Sequence, residues 1–231
     1  MGASSPQGVF ITFEGGEGVG KSTQIRLLEA RLNAAGVDVL CVREPGGTRA
    51  GEKIRSILLD PANSDLDPRA ELLLYEAARA QLVEQHIKPA LARGITVLCD
   101  RFTDSTLAYQ GYARGLDVGL VTRANEVGSG GLAPNRTIVL ERDIAESLGE
   151  ATQQGADRLE AEGIGFHTRV HEGFEQLAAS DPRRVRRVPC HDEKAHTAQA
   201  VWEQVASLFP QAATRAFVVT PELIRDIKEH K

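Results

Sequence analysis

The segment Gly15-Gly16-Glu17-Gly18-Val19-Gly20-Lys21-Ser22 is spaced as G-x-x-x-x-G-K-S. Glycines let a backbone turn its N–H groups inward and form a concave nest for anions. A helix that begins at such a nest adds its positive end. Lys21 supplies a point charge for the outer phosphates of a nucleoside triphosphate, and the Ser22 hydroxyl a ligand for Mg²⁺. Asp100, which closes the apolar run Ile95–Cys99, is the carboxylate expected to hold the same ion through water. Four arginines, Arg43, Arg55, Arg79 and Arg101, fall near strand ends or on the helices that follow, and guanidinium groups bind phosphate in a bidentate fashion. Glu17 is the odd member, an acid inside a cradle for anions. Because the nest is made of backbone N–H groups, its side chain is free to point away.

These residues need elements to place them. Gly8–Glu14 is a short β-rich apolar run that ends at glycines and predicts a buried strand. Ser22–Ala35 carries an apolar stripe at Ile25, Leu28 and Leu32, stopped by Gly36, and predicts a helix. Val37–Val42, Ile95–Cys99, Thr137–Leu140 and Val185–Val188 predict further strands, with Arg43–Thr48 as a turn. Asp67-Pro68 reads as an N-cap and a first-turn proline, opening a helix that reaches about Arg93 and is divided or kinked at Pro89. Thr197–Phe209 predicts another helix. Wholly apolar strands alternating with helices imply a parallel sheet of about five strands covered on both faces. The expected organisation is a disordered segment over residues 1–8, one α/β P-loop NTPase domain over 9–210 with a mobile lid near 150–163, and an extension over 211–231. That extension is expected to add a short strand at Phe217–Val219 and a helix after Pro221.

The chain has 231 residues, 42% of them hydrophobic, enough for one sizeable core. Its net charge of -5 argues against a general nucleic-acid-binding surface. No apolar run approaches the ~20 residues of a membrane span, and no leader peptide is expected at the start. Three cysteines, Cys41, Cys99 and Cys190, are an odd number, and two sit in apolar runs. Free thiols in a reducing, cytoplasmic setting are expected. His167 and His171 stand four apart but lack a third ligand, so a solvated helix face is expected there, and the basic run Arg183–Arg187 reads as an exposed turn.

A phosphate loop alone leaves several classes open. The base-reading N-K-x-D of small GTPases is missing, and the strand aspartate is followed by arginine rather than by a second acid. Arginines around an acceptor phosphate and a lid that excludes water are what a small-molecule kinase requires.

Five segments, FEGGEGVGKSTQ (from Phe13), REPGGT (from Arg43), ELLLYEAARAQ (from Glu71), DRFTDSTLAYQGYARG (from Asp100) and DRLE (from Asp157), closely resemble the thymidylate kinases of bacterial type. The resemblance implies ATP- and Mg²⁺-dependent phosphorylation of dTMP to dTDP by a homodimer. It implies nucleotide contacts from Gly15 through Ser22 and Thr23, and acceptor-phosphate contacts from Arg43, Arg55 and Arg101. Tyr75 would stack on the thymine and Arg79 contact it. Ser105, Thr106 and Gln110 would wall the base and sugar, Tyr109 would stand near the sugar 2′ position, and Glu44-Pro45 would carry a cis peptide. Glu17 would accept from the deoxyribose 3′-hydroxyl. The alternatives left open are a kinase for another pyrimidine monophosphate such as dUMP, and a catalytically weak nucleotide-binding relative.

The chain departs from that pattern in its lid. The family stretch is arginine-rich, whereas Ser147–Ala156 contains no arginine and includes Glu150. Glu141-Arg142 follows the fourth strand where an aspartate is common. Arg158 is then expected to join Lys21 and Arg101 as the catalytic cation.

Overall fold

A computed structural model describes residues 8–152 and 156–229. The expected disordered start (residues 1–7 of it) and positions 153–155 of the expected lid lie outside the described residues. Strands β1 (Phe10–Glu14), β2 (Val39–Arg43), β3 (Thr96–Asp100), β4 (Arg136–Glu141) and β5 (Val185–Pro189) form one parallel sheet in the order β2-β3-β1-β4-β5. β1 is buried along its whole length because it is the middle strand, paired with β3 from Phe10↔Val97 to Phe13↔Asp100 and with β4 from Ile11↔Arg136 to Glu14↔Val139.

The pleat sends alternate residues to opposite faces. Ile11 and Phe13 pack with Leu98, Ile138 and Leu140 under helices α1 (Lys21–Ala34) and α9 (Lys194–Val205), against Leu28, Leu32, Val201 and Trp202. Phe10, Val97 and Cys99 face the other way, toward Leu82, Val83, Ile87 and Phe102. The Phe10 and Phe102 rings meet edge to face at 5.0 Å, a geometry worth roughly 0.5–1.5 kcal/mol beyond burial.

Helix α2 spans Arg49–Leu59, with the Thr48 hydroxyl capping Gly51 N. Helix α3 spans Pro68–Leu82, with Asp67 capping Arg69 N as expected. The expected break at Pro89 appears upstream of it. A wide π turn, Val83–Ile87, joins α3 to α4 (Lys88–Ala92), and Lys88 N reaches Val83 O, five residues back. Pro89 lacks an N–H and its ring crowds the preceding turn, and widening that turn by one residue relieves the clash.

Helix α5 (Thr103–Thr106) continues as a second π segment, Leu107–Ala113, followed by α6 (Val118–Ser129), α7 (Ile144–Ala151), α8 (Ile164–Ser180), α10 (Pro210–Ala213) and α11 (Pro221–Glu229). The expected strand at Phe217–Val219 does not form: the segment carries no sheet pairing, and both sheet edges lie elsewhere. Instead the extension folds back on α1. Arg31 lies 4.0 Å from the Trp202 ring and 5.7 Å from the Phe217 ring, and Arg215 donates to Ala34 O at 3.1 Å. Cys99 is buried, Cys41 and Cys190 are half-buried, and all three are free. Among the described residues no helix is long and apolar enough to cross a membrane.

The histidine and arginine expectations need correction. His167 is buried edge-on to Phe166, and burial holds its pKa down, so that helix face is not solvated there. Arg184 is half-buried and pairs with Asp104 at 2.5 Å and Asp181 at 2.9 Å, clamping α5 to the entry of β5.

Candidate active site

The site lies at the carboxyl ends of β1, β2 and β3, where the strands hand over to loops. Gly15 through Gly20 form the loop between β1 and α1. Gly15 takes φ +126°, and a Cβ there would stand 2.3 Å from Leu140 O; Gly18 takes φ +69°, with Ser147 O only 2.0 Å from its missing Cβ. The loop can lie this close to β4 and α7 because those positions have no side chain. Val19 anchors it in the core, Gly16 curves over Val19, and Gly20 opens α1 in a left-handed conformation. Lys21 is 8% exposed, and its Nζ donates to Gly16 O at 2.6 Å and Gly15 O at 3.3 Å. Burial lowers its pKa, as does Arg101, against Glu17, Asp100 and Glu14. Ser22 Oγ donates to Asp100 Oδ2 at 3.1 Å, so a hydroxyl and a carboxylate meet beside Lys21. Two hard oxygen donors with room for phosphate and water suit Mg²⁺.

Glu17 turns away from the nest. Its Oε1 accepts from Arg101 Nη2 at 2.5 Å and from the Tyr109 hydroxyl at 2.8 Å. Burial alone would raise its pKa, but Arg101, Lys21 and Tyr109 outweigh it and bring the carboxyl to about 2. Arg101 also donates to Gly15 O at 3.0 Å and Ser105 Oγ at 3.2 Å, and lies over the Tyr109 ring at 5.0 Å. It is the one non-glycine residue among those described with positive φ, at 68°. Such strain persists where the surroundings over-determine it and concentrates at functional sites.

One cavity is lined by Glu17, Glu44, Arg55, Tyr75, Arg79, Arg101, Ser105, Thr106, Tyr109 and Gln110, with Asp157 and Leu159 from the segment between α7 and α8. Each of these ten first-named residues was expected there. A second, more polar cavity joins it and carries Lys21, Ser22, Arg43, Arg55, Asp100, Arg101 and Glu160. Arg79 is almost wholly buried and bonded on every side: Glu44 at 2.8 Å, Glu76 at 2.6 Å, Asn125 at 2.7 Å and Thr106 at 2.9 Å. Burial lifts the Glu44 carboxyl to about 7 despite Arg79. The Glu44-Pro45 peptide is cis. Arg55 donates to Pro45 O at 2.9 Å, and Arg43 is held in a fork by Glu52 at 2.8 and 2.9 Å.

Arg158 stands apart. Its side chain is 4% exposed; Nε donates to Leu58 O at 2.7 Å and Nη2 pairs with Glu71 at 2.5 Å. The D-x-x-E around it is a reciprocal cap, since Asp157 Oδ1 accepts from Glu160 N at 2.8 Å and Glu160 Oε2 from Asp157 N at 3.0 Å. That cap turns Arg158 and Leu159 inward, against the end of α2 and the start of α3. The structure therefore brings Lys21, Glu17 and Arg101 together and leaves Arg158 outside their group.

Sequence reasoning missed two parts of the site and named no contacts in a third. Glu52 orients Arg43. Glu71 and Arg114 stand behind Gln110. On the far side of the phosphate loop, Arg142, Cys190, His191, Asp192 and Lys194 line a third cavity with Gly18, Gly20 and Thr23, and Arg142 forks onto Glu150 at 2.7 and 2.8 Å. Glu150, four residues ahead of Gln154 in the arginine-poor stretch, was the available signal for that pair.

A family model described as thymidylate kinase matches residues 13–201. A thymidylate kinase of a Synechococcus strain is 49% identical over 206 residues, covering 88% of this chain and 97% of the relative. One from Deinococcus radiodurans is 51% identical over 179 residues, covering 77% and 86%. The crystal structure of thymidylate kinase from Ehrlichia chaffeensis superposes with a TM-score of 0.70 at 32% identity, covering 87% of this chain and 99% of that one.

Proposed function

Because the chain belongs to the thymidylate kinase family and phosphorylates dTMP to dTDP, we propose that ATP is its donor, Mg²⁺ its metal ion, and the cavities around Arg101 its reaction site. The observation that carries the assignment of roles is the 2.5 Å pair between Arg101 and Glu17, which joins the phosphate loop to the arginine-lined cavity. In this reading Gly15–Thr23 hold the donor phosphates, and Ser22 with Asp100 hold Mg²⁺ through oxygen ligands. Arg43, Arg55 and Arg101 hold the acceptor phosphate. Tyr75, Arg79, Ser105, Thr106 and Gln110 enclose the thymine, with Glu44 fixing Arg79. Tyr109 and Glu17 face the sugar. Phosphoryl transfer passes through a loose transition state whose charge lies on the equatorial oxygens, so positioned cations suffice and no strong base is required.

An ATP-coupled assay across dTMP, dUMP and dCMP tests this. We expect dTMP to be favoured at least about tenfold in kcat/KM; turnover no greater than that of the Lys21→Ala variant would refute it.

The anchored geometry of Arg158 supports a structural task in place of a catalytic one. Removing one partner of a buried ion pair costs about 3–5 kcal/mol. Arg158→Ala is therefore expected to lower Tm by about 10 °C and to raise KM for dTMP. A selective loss of kcat, with Tm and KM unchanged, would return Arg158 to the transfer centre.

We also read the protein as a cytoplasmic homodimer with a lid over residues 150–163. Three free thiols support the compartment. Ile57 on α2, Leu73 on α3 and Val127 on α6 are exposed apolar residues on neighbouring helices, 43%, 65% and 80% accessible, and they support pairing with a second copy. A monomeric sedimentation coefficient would argue against it.

A further inference from the structure

We propose that Glu71 is a positioning residue for base recognition, holding the Gln110 side-chain amide so that its carbonyl oxygen, and not its NH₂, meets the acceptor base. The proposal rests on the assignment of the arginine-lined cavity to dTMP.

Glu71 sits in the first turn of α3 and is fully buried. Both of its oxygens are occupied. Oε1 accepts from Gln110 Nε2 at 2.7 Å and Arg114 Nε at 3.3 Å. Oε2 accepts from Arg114 Nη2 at 3.2 Å and pairs with Arg158 Nη2 at 2.5 Å. A carboxylate between two guanidiniums offers lone pairs only, so the Gln110 amide can approach it by its nitrogen alone. Side-chain amides are usually ambiguous in orientation; here the chemistry of the partner decides it. With one Nε2–H bonded to Glu71, the amide is fixed nitrogen-inward, and we assign the opposite, carbonyl end to the cavity that Gln110 lines.

That choice discriminates between pyrimidines. Thymine presents a donor, N3–H, between two carbonyls. Cytosine presents an acceptor at N3 and an amino group at C4. An outward carbonyl oxygen matches the first and meets a lone pair on the second. Exchanging Glu71 for an amide would remove the restriction, because Gln110 could then turn either way.

Glu71 is also the joint between the base wall and residues 156–162, the later part of the proposed lid. Arg158 ties it to Leu58, and Arg114 ties it to Glu162 and lies over the Phe166 ring at 4.7 Å. Seating of residues 156–162 and orientation of Gln110 thus depend on one carboxylate.

The test is the ratio of kcat/KM for dTMP to that for dCMP, with ATP and Mg²⁺, in the wild type and in Glu71→Gln. We expect the ratio to fall at least about tenfold in the variant, the size of one hydrogen bond to a buried polar partner, with the dTMP loss expressed in KM. An unchanged ratio overturns the proposal, since a purely structural Glu71 would lower both activities alike. Gln110→Ala reads the same contact without disturbing the buried charge, and keeps the test alive if Glu71→Gln does not fold. Its ratio should fall as far, and a wild-type ratio there also overturns the proposal. A wild type that itself fails to favour dTMP would instead refute the assignment of the cavity.

Discussion

Lys21→Ala is expected to lower kcat by about 10³-fold while leaving Tm within a few degrees of the wild type. Loss of one preorganised donor aimed at developing transition-state charge costs about 10²–10³ in kcat. Lys21 is placed to cost at least that. It is buried, its Nζ is already drawn over the loop to Gly16 O, and the loop around it carries an acid and no arginine. The binding of ATP should weaken less, about tenfold in KM, because backbone N–H groups and the α1 terminus still hold the phosphates. Lys21→Arg should not rescue activity, since a planar fork does not replace a compact ammonium under a close-fitting loop. A coupled assay at high enzyme concentration measures the effect, and a kcat loss below tenfold would overturn the assignment.

Arg101 should be the second large effect, and its backbone makes it separable from a fold defect. Arg101→Gly is expected to lower kcat/KM for dTMP by about 10³-fold, the scale of a single arginine on transferring phosphate. The φ of 68° is unfavourable for alanine as well as for arginine, and glycine adopts it freely. Arg101→Gly should therefore have a higher Tm than Arg101→Ala by a few degrees, at equal loss of activity. Both leave Glu17 without its main cation. The depressed Glu17 pKa adds stability that is present above pH 4.5 and lost as pH falls toward about 2. Without Arg101 that contribution shrinks, and Glu17→Gln in the Arg101→Gly background should recover part of it. Glu17→Ala alone should raise KM for dTMP about tenfold. Equal Tm values for the glycine and alanine variants would show that the strain is not stored at Arg101.

The glycine loop between β1 and α1 was legible, because spacing alone prescribes its local backbone geometry and the helix that follows it. The strands were legible for a related reason: in a sheet buried on both faces each strand is an apolar run. Cross-chain partnerships were not. Glu71 reads as an ordinary first-turn acid, yet its partners arrive from positions 110, 114 and 158, which no periodicity connects to position 71. The inward anchoring of Arg158 was hidden by the same cause. Its neighbours in D-R-L-E form a local cap that points it inward, and that direction depends on where α2 ends. The helix after Pro221 was legible, but the strand at Phe217–Val219 was misread because Phe217 and Val218 have strand propensity, while the available surface was an arginine and a tryptophan on α1 and α9.

The position of β1 in the sheet bears on how the chain comes to be made. β1 is the first strand to be synthesised, yet both of its edges are filled only by β3 and β4, the last residue of which is Glu141. At roughly 5–20 residues per second, Phe10-Ile11-Thr12-Phe13 waits on the order of ten seconds for its neighbours. An unpaired β-rich apolar segment is an aggregation hazard during that interval. The glycines and the two acids that follow it, Glu14 and Glu17, interrupt the segment and give it charge, so they stand where gatekeeper residues flank an apolar strand.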